Sequence, residues 1–195
     1  MKRICIFCGS RAGTRSAYRE AAREFGRLVA SQGVGVVYGG GSVGLMGALA
    51  DAALEAGGEV IGVIPRFLTN REIDHRGVTA MHVVDSMHER KAQMAELADA
   101  FVMLPGGVGT YEEFIEAITW AQLGLHVKPC GVLNVAGYYD AFFAMLDHAV
   151  REGFIQPEHR AMLLVEREPA ALLAALRAHE PREAPPWTYD TSGRI

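Results

Sequence analysis

The chain has 195 residues, half of them apolar and 22% charged, which is enough for one domain with a large core and too few for two of ordinary size. Its net charge of −4 gives no global attraction to nucleic acid or to an anionic membrane, so a bound phosphate has to be held by a local site. No apolar run approaches the ~18–20 residues that span a bilayer. The opening run stops at Gly9-Ser10-Arg11 and reads as a core strand rather than a leader.

Taken in chain order, residues 3–8 predict a strand and residues 16–31 a helix. A second strand over 35–38 is broken by Gly39-Gly40-Gly41, and a small-residue helix follows over 45–56. Residues 60–64 form a third strand, stopped by Pro65, and 78–84 a fourth. A helix over 86–98 leads to a strand over 100–104, and a helix over 110–123 to a strand over 130–135. A helix over 138–152, a short strand over 162–165 and a helix over 169–179 complete the pattern. Continuous apolar strands alternating with helices predict a mainly parallel sheet covered on both faces: a Rossmann-like, doubly wound α/β fold. The expected organisation is one catalytic domain over 1–180 and a loose tail over 181–195, where three prolines accompany little apolar content. Residues 65–77 are the longest internal stretch without a clear element, and such loops are often functional.

Cys5 and Cys8 lie three apart on a strand and so point to opposite faces, while Cys130 lies on another strand. No second ligand pair follows at zinc spacing, so buried thiols in a reducing cytosol are expected. The seven histidines are scattered and predict no metal site. No Ser-His-Asp order, nucleophile elbow or marked cofactor lysine is present either.

Three glycine loops end strands: Gly9-Ser10-Arg11, Gly39 to Gly44, and Pro105-Gly106-Gly107-Val108-Gly109-Thr110. Gly39-x-Gly41-x-x-Gly44 matches the dinucleotide fingerprint in form, but the next strand ends Ile64-Pro65-Arg66 without the ribose-binding acid. Gly40 and Gly41, with Gly9 and Ser10, form either a backbone wall for a mononucleotide or a tight helix–strand packing. The third loop lacks the Gly-Lys-Ser/Thr ending of a P-loop. It suits a single phosphate held by backbone N–H groups and Thr110, the strongest signal in the chain.

Thr110 and Glu113 read as a capping box, with Thr110 as N-cap. On the helical wheel Phe114, Ile115, Ile118 and Gln122 form a sheet-facing stripe, with Glu113, Ala117 and Trp120 on nearly the opposite side. A tryptophan there predicts a second surface, another subunit, and puts Glu113 at a helix start near that boundary. Ser86 and Glu89 predict a second capping box. Arg90 falls in the inward stripe of its helix with Met87, Met94, Leu97 and Ala98, and a buried guanidinium needs an anion. Asp85, Glu113 or a ligand phosphate would serve. Lys91 sits at the edge of that stripe, where a merely solvated role is an alternative.

Together these motifs resemble the P-G-G-x-G-T-x-x-E signature of the Lonely Guy family, cytokinin riboside 5′-monophosphate phosphoribohydrolases. The likeness spans about residues 1–180. It includes Phe7-Cys8-Gly9-Ser10, Tyr38-Gly39-Gly40-Gly41, Gly44-Leu45-Met46-Gly47, Met87-His88-x-Arg90-Lys91, Thr119-Trp120-Ala121-Gln122-Leu123-Gly124, Lys128-Pro129 and Gly137-Tyr138-Tyr139. The resemblance implies hydrolysis of the N-glycosidic bond of N6-modified AMP, no cofactor, and a homodimer. It implies Arg90 and Glu113 as the catalytic pair. Glu72, Arg90, Lys91, the segment Gly107, Val108, Gly109, Thr110, Tyr111, Glu112 and Glu113, and Thr119 would bind the nucleoside monophosphate. An AMP nucleosidase of purine salvage and a non-catalytic nucleotide or molybdenum-cofactor binding protein are the alternative readings.

Overall fold

The computed structural model describes residues 1–69 and 74–180. Seven strands form one parallel sheet: β1 (Arg3–Phe7), β2 (Gly35–Tyr38), β3 (Val60–Pro65), β4 (Ala80–Val84), β5 (Ala100–Met103), β6 (Cys130–Leu133) and β7 (Leu163–Glu166). Their order is β4-β3-β2-β1-β5-β6-β7, and every neighbouring pair is parallel. The winding direction reverses between β1 and β5. This is the doubly wound architecture expected from the continuous apolar runs.

The helices are α1 (Ser16–Ser31), α2 (Gly44–Glu55), α3 (Met87–Leu97), α4 (Val108–Gln122), α5 (Asp140–Arg151), α6 (Pro157–Arg160) and α7 (Pro169–Ala178). Alternation along the strands splits the core in two. Ile4 and Ile6 pack with Phe25 of α1, Leu49 of α2 and Leu172 of α7 on one face. Cys5 and Phe7 pack with Met94 of α3, Phe114 of α4 and Phe143 of α5 on the other. Cys5 and Cys8 fall in different clusters, as strand geometry requires, and all three cysteines are buried and unpaired.

Four boundaries differ from the sequence reading by two residues. The strand expected over 78–84 begins at Ala80, and α4 begins at Val108, two residues early. β6 stops at Leu133, and a 3-10 turn over Val135–Gly137 separates it from α5. Ala136 in that turn has φ 50°, so a run that reads as strand and then helix bends sharply instead. The single turn of α6 was not anticipated, since four residues carry no periodic signal. Among the described residues no helix is long and apolar enough to cross a membrane.

Helices α1 and α2 cross closely because Gly26 has no side chain. A Cβ there would lie 2.5 Å from the Leu49 carbonyl oxygen, a rigid backbone atom. Gly26→Ala is therefore expected to destabilise the fold by about 1–3 kcal/mol, the usual cost of overpacking. A lower urea midpoint with an unchanged m-value would register it; an unshifted midpoint would mean that the helices separate freely.

Candidate active site

Open parallel sheets bind ligands beyond the carboxyl ends of their strands, where the winding reverses. Here the loops after β1 and β5 border a cavity of about 510 Å³ at that point. Gly9, Ser10, Gly107, Val108, Gly109, Thr110, Arg90 and Glu113 all line it.

The loop after β5 runs directly into α4. Gly107 is the N-cap, and the cap is not made by a side chain. The first helical bond is given by the Tyr111 N–H to the Gly107 carbonyl at 3.1 Å. The amides of Gly107, Val108, Gly109 and Thr110 precede it and have no partner within the helix. They carry the positive end of the helix dipole to the cavity. Thr110 is thus not the cap that the sequence suggested. It is a buried residue inside the first turn, its hydroxyl tucked beneath Gly106, where an added Cβ would meet it at 2.1 Å. Gly107 takes the cap position because extended backbone, rather than a side-chain acceptor, starts this helix.

Arg90 projects from α3 into the same space. Its Nη1 pairs with Glu113 Oε1 at 3.0 Å, and the two side chains are only 8% and 11% exposed. Nε donates to the Val63 carbonyl at 3.0 Å and Nη2 to the Gly39 carbonyl at 3.1 Å. A Cβ on Gly39 would fall 2.1 Å from Nη2, so this glycine leaves room for the guanidinium. Among the anions weighed from sequence, Glu113 is the partner; Asp85 pairs with Arg66 at the surface.

The helix-start pattern of α3 is as expected at Ser86, whose Oγ accepts from the Glu89 N–H at 3.1 Å. The reciprocal bond goes one residue further, from the Asp85 N–H to Glu89 Oε2 at 2.9 Å. Lys91 is not merely solvated. It is buried between Glu112 and Glu116 at 2.5 and 3.0 Å, clamping α3 to α4. Burial works against its charge, but the hydrogen bonds it donates to both carboxylates, with their charges, outweigh it and hold its pKa above the usual lysine value.

The remaining expected residues are spread more widely. Tyr111 and Glu112 turn from the cavity, Tyr111 toward Tyr138 and Glu112 toward Lys91. Thr119 is exposed and bonds the Ile115 carbonyl at 2.8 Å. It lies nine residues beyond Thr110, ~14 Å at 1.5 Å per residue. Gly40 packs on Ile64 and Met81, and Gly41 pairs with Asp74, so neither lines the cavity. Glu72 lies outside the described residues. The inward face of α4 is also rotated relative to the stripe expected from sequence. The buried face of α4 is Phe114, Ala117, Ile118 and Ala121, while Ile115 is 43% exposed and Trp120 half-buried. Ala117 lies one turn past Glu113, on the side that meets Arg90 of α3, and shares an apolar cluster with Met94. Tyr18, Met46 and Tyr138 also line the cavity; Met46 and Tyr138 have a sequence signal, in Gly44-Leu45-Met46-Gly47 and Gly137-Tyr138-Tyr139, and Tyr18 has none.

Comparison with known proteins adds to this geometry. Residues 46–176 match the family model described as "Possible lysine decarboxylase". A probable cytokinin riboside 5′-monophosphate phosphoribohydrolase of Oryza sativa subsp. japonica is 51% identical over 180 residues, 92% of this chain and 79% of that protein. A cytokinin riboside 5′-monophosphate phosphoribohydrolase of Arabidopsis thaliana is 49% identical over 181 residues, 93% of this chain and 85% of that one. Among solved structures, the molybdenum cofactor carrier protein of Chlamydomonas reinhardtii aligns with a TM-score of 0.68 at 24% identity, covering 90% of this chain and 96% of the carrier; this likeness concerns the fold.

Removing one member of a buried ion pair leaves the other short of an acceptor. Glu113→Ala is expected to lower stability by about 1.5–3 kcal/mol, the range for a hydrogen bond to a charged group. Urea unfolding at neutral pH checks this, and a gain in stability would mean that Arg90 is satisfied by the two carbonyls alone.

Proposed function

This chain belongs to the Lonely Guy family of phosphoribohydrolases, and on that premise we propose that it hydrolyses the N-glycosidic bond of N6-modified adenosine 5′-monophosphates, giving free base and ribose 5-phosphate. The observation that carries the reading is the placement of a buried Arg90–Glu113 pair beside the open amides of α4 in one cavity. In this reading the amides of Gly107, Val108, Gly109 and Thr110 hold the 5′-phosphate and fix the ribose. Cleavage builds positive charge on the sugar and negative charge on the leaving base. Glu113 stabilises the cationic sugar or activates the attacking water. Arg90 orients Glu113 through its 3.0 Å contact while two backbone carbonyls hold the guanidinium in place.

Neither Lys91 nor Lys128 lends support to decarboxylation. A Schiff-base lysine needs a lowered pKa, whereas Lys91 is held protonated between two carboxylates, and Lys128 donates to the Ala95 carbonyl at 2.7 Å.

The proposed assembly is a homodimer in the cytosol, with the site near the subunit boundary. Ile115, Thr119 and Leu123, at positions i, i+4 and i+8 of α4 and its end, form an exposed stripe, and Leu125 just beyond is 70% exposed. Burial of Thr119 in such an interface accounts for its distance from the cavity. The three buried thiols suit a reducing compartment.

Incubated with isopentenyl-AMP, the purified chain is expected to release ribose 5-phosphate, and kcat/KM is expected to exceed that for AMP. Glu113→Gln should lower kcat by about 10²–10⁴-fold, the usual effect of removing a general acid–base group, with an unchanged circular dichroism spectrum. Near-normal turnover by that variant would refute the role given to Glu113. Light scattering should give twice the chain mass, and Leu123→Glu should shift it toward the monomer; a monomeric parent would end the dimer proposal.

A further inference from the structure

We infer that Tyr138 is a positioning residue for phosphate recognition, its hydroxyl fixing the Gly106–Gly107 peptide at the entrance to the amide cluster of α4. The inference rests on the function proposed above and adds a residue to it.

Three successive carbonyls in the loop after β5 are held by groups from other elements. The Tyr139 hydroxyl donates to Leu104 at 2.7 Å, the Gly9 N–H to Pro105 at 3.0 Å, and the Tyr138 hydroxyl to Gly106 at 2.6 Å. A trans peptide is planar, with its C=O and the following N–H pointing in opposite directions. Fixing the Gly106 carbonyl on Tyr138 therefore fixes the direction of the Gly107 N–H, the first amide of the cluster. Gly106 and Gly107 are the loop positions with most backbone freedom, so an external anchor has the largest effect there. Tyr138 also lines the cavity, so its bond lies next to where the ligand would sit.

The anchor is itself braced. The hydroxyls of Tyr111 and Tyr138 lie 3.2 Å apart, and the Tyr18 ring meets the Tyr138 ring edge-on at 5.4 Å. The hydrogen bond to Tyr111, reinforced by burial, pushes the Tyr138 hydroxyl up to about 12, which keeps it protonated as a donor at physiological pH. Behind it, the turn before Tyr138 holds Ala136 at φ 50°, a conformation costly for a residue with a side chain. Asn134 secures this turn: its Oδ1 accepts from the Tyr139 N–H at 2.8 Å, and its Nδ2 donates to Asp140 at 2.6 Å. Strain kept in place by these hydrogen bonds, at a turn that aims two tyrosines at one loop, points to a positioning device. Tyr111 then acts through Tyr138 rather than by touching the ligand.

Tyr138→Phe keeps the ring and removes the anchor. Steady-state kinetics with isopentenyl-AMP should show KM raised roughly five- to tenfold with kcat within about twofold, the scale of one hydrogen bond. The inhibition constant of ribose 5-phosphate should rise by the same factor, and that of the free base, which has no phosphate, should stay put. Tyr111→Phe, which removes only the brace, should shift the same two quantities in the same direction by about two- to threefold, and it gives the answer if the first variant does not fold. An active parent whose Tyr138→Phe variant keeps its KM, or loses affinity for base and sugar phosphate equally, overturns this inference alone. A parent that releases no base overturns the proposed function and the inference together.

Discussion

A buried guanidinium has to find acceptors for its donors or it does not stay buried. Arg90 meets that demand by gathering three elements at one point. It takes the Val63 carbonyl in β3, the Gly39 carbonyl just after β2, and the Glu113 carboxylate on α4. The end of the sheet is thereby tied to the helix whose open amides face the cavity. Gly39 is bare because Arg90 occupies the space that a side chain would take. Lys91, the next residue, makes a second tie from α3 to Glu112 and Glu116 of α4. Adjacent basic residues thus do different work: one faces the cavity and the other locks the helix that builds it.

The surroundings of this pair also keep the nearby thiols protonated. Cys5 and Cys8 are buried nearby, and burial first, then the charge of Glu113, pushes both thiols up. They stay protonated and do not compete as nucleophiles. The polar groups of the β5 loop divide by direction: its carbonyls turn back to Tyr139, Gly9 and Tyr138, which leaves amides as the groups presented forward. Such fixed dipoles require no rearrangement when a charged ligand arrives.

Much of the fold was legible in the sequence because double burial leaves a plain mark. Each core strand was an unbroken apolar run, and the glycine loops fell where strands ended. Arg90 was legible as a charge on an apolar stripe. Other features lacked a local sign. Thr110 looked like a cap because capping preferences describe side chains, whereas Gly107 starts α4 by backbone conformation alone. The face of α4 was misjudged because two surfaces, sheet and α3, compete for it, and a single-stripe wheel assumes one. Lys91 could not be placed, since its carboxylate partners lie 21 and 25 positions away on another helix. The bond from Tyr138 to Gly106 spans 32 residues and depends on an alanine at positive φ, which no pattern announces.

The glycine run after β2 has a further consequence. Two amides of the first turn of α2, from Leu45 and Met46, are already taken by the Gly9 carbonyl at 2.9 and 3.4 Å. Gly44, at φ 65°, lets that contact close, because any Cβ there would strike the Ser10 backbone. One helix mouth is plugged by the chain itself while its neighbour is left open. The difference between the two helix starts is thus set by the backbone, before any side chain is consulted.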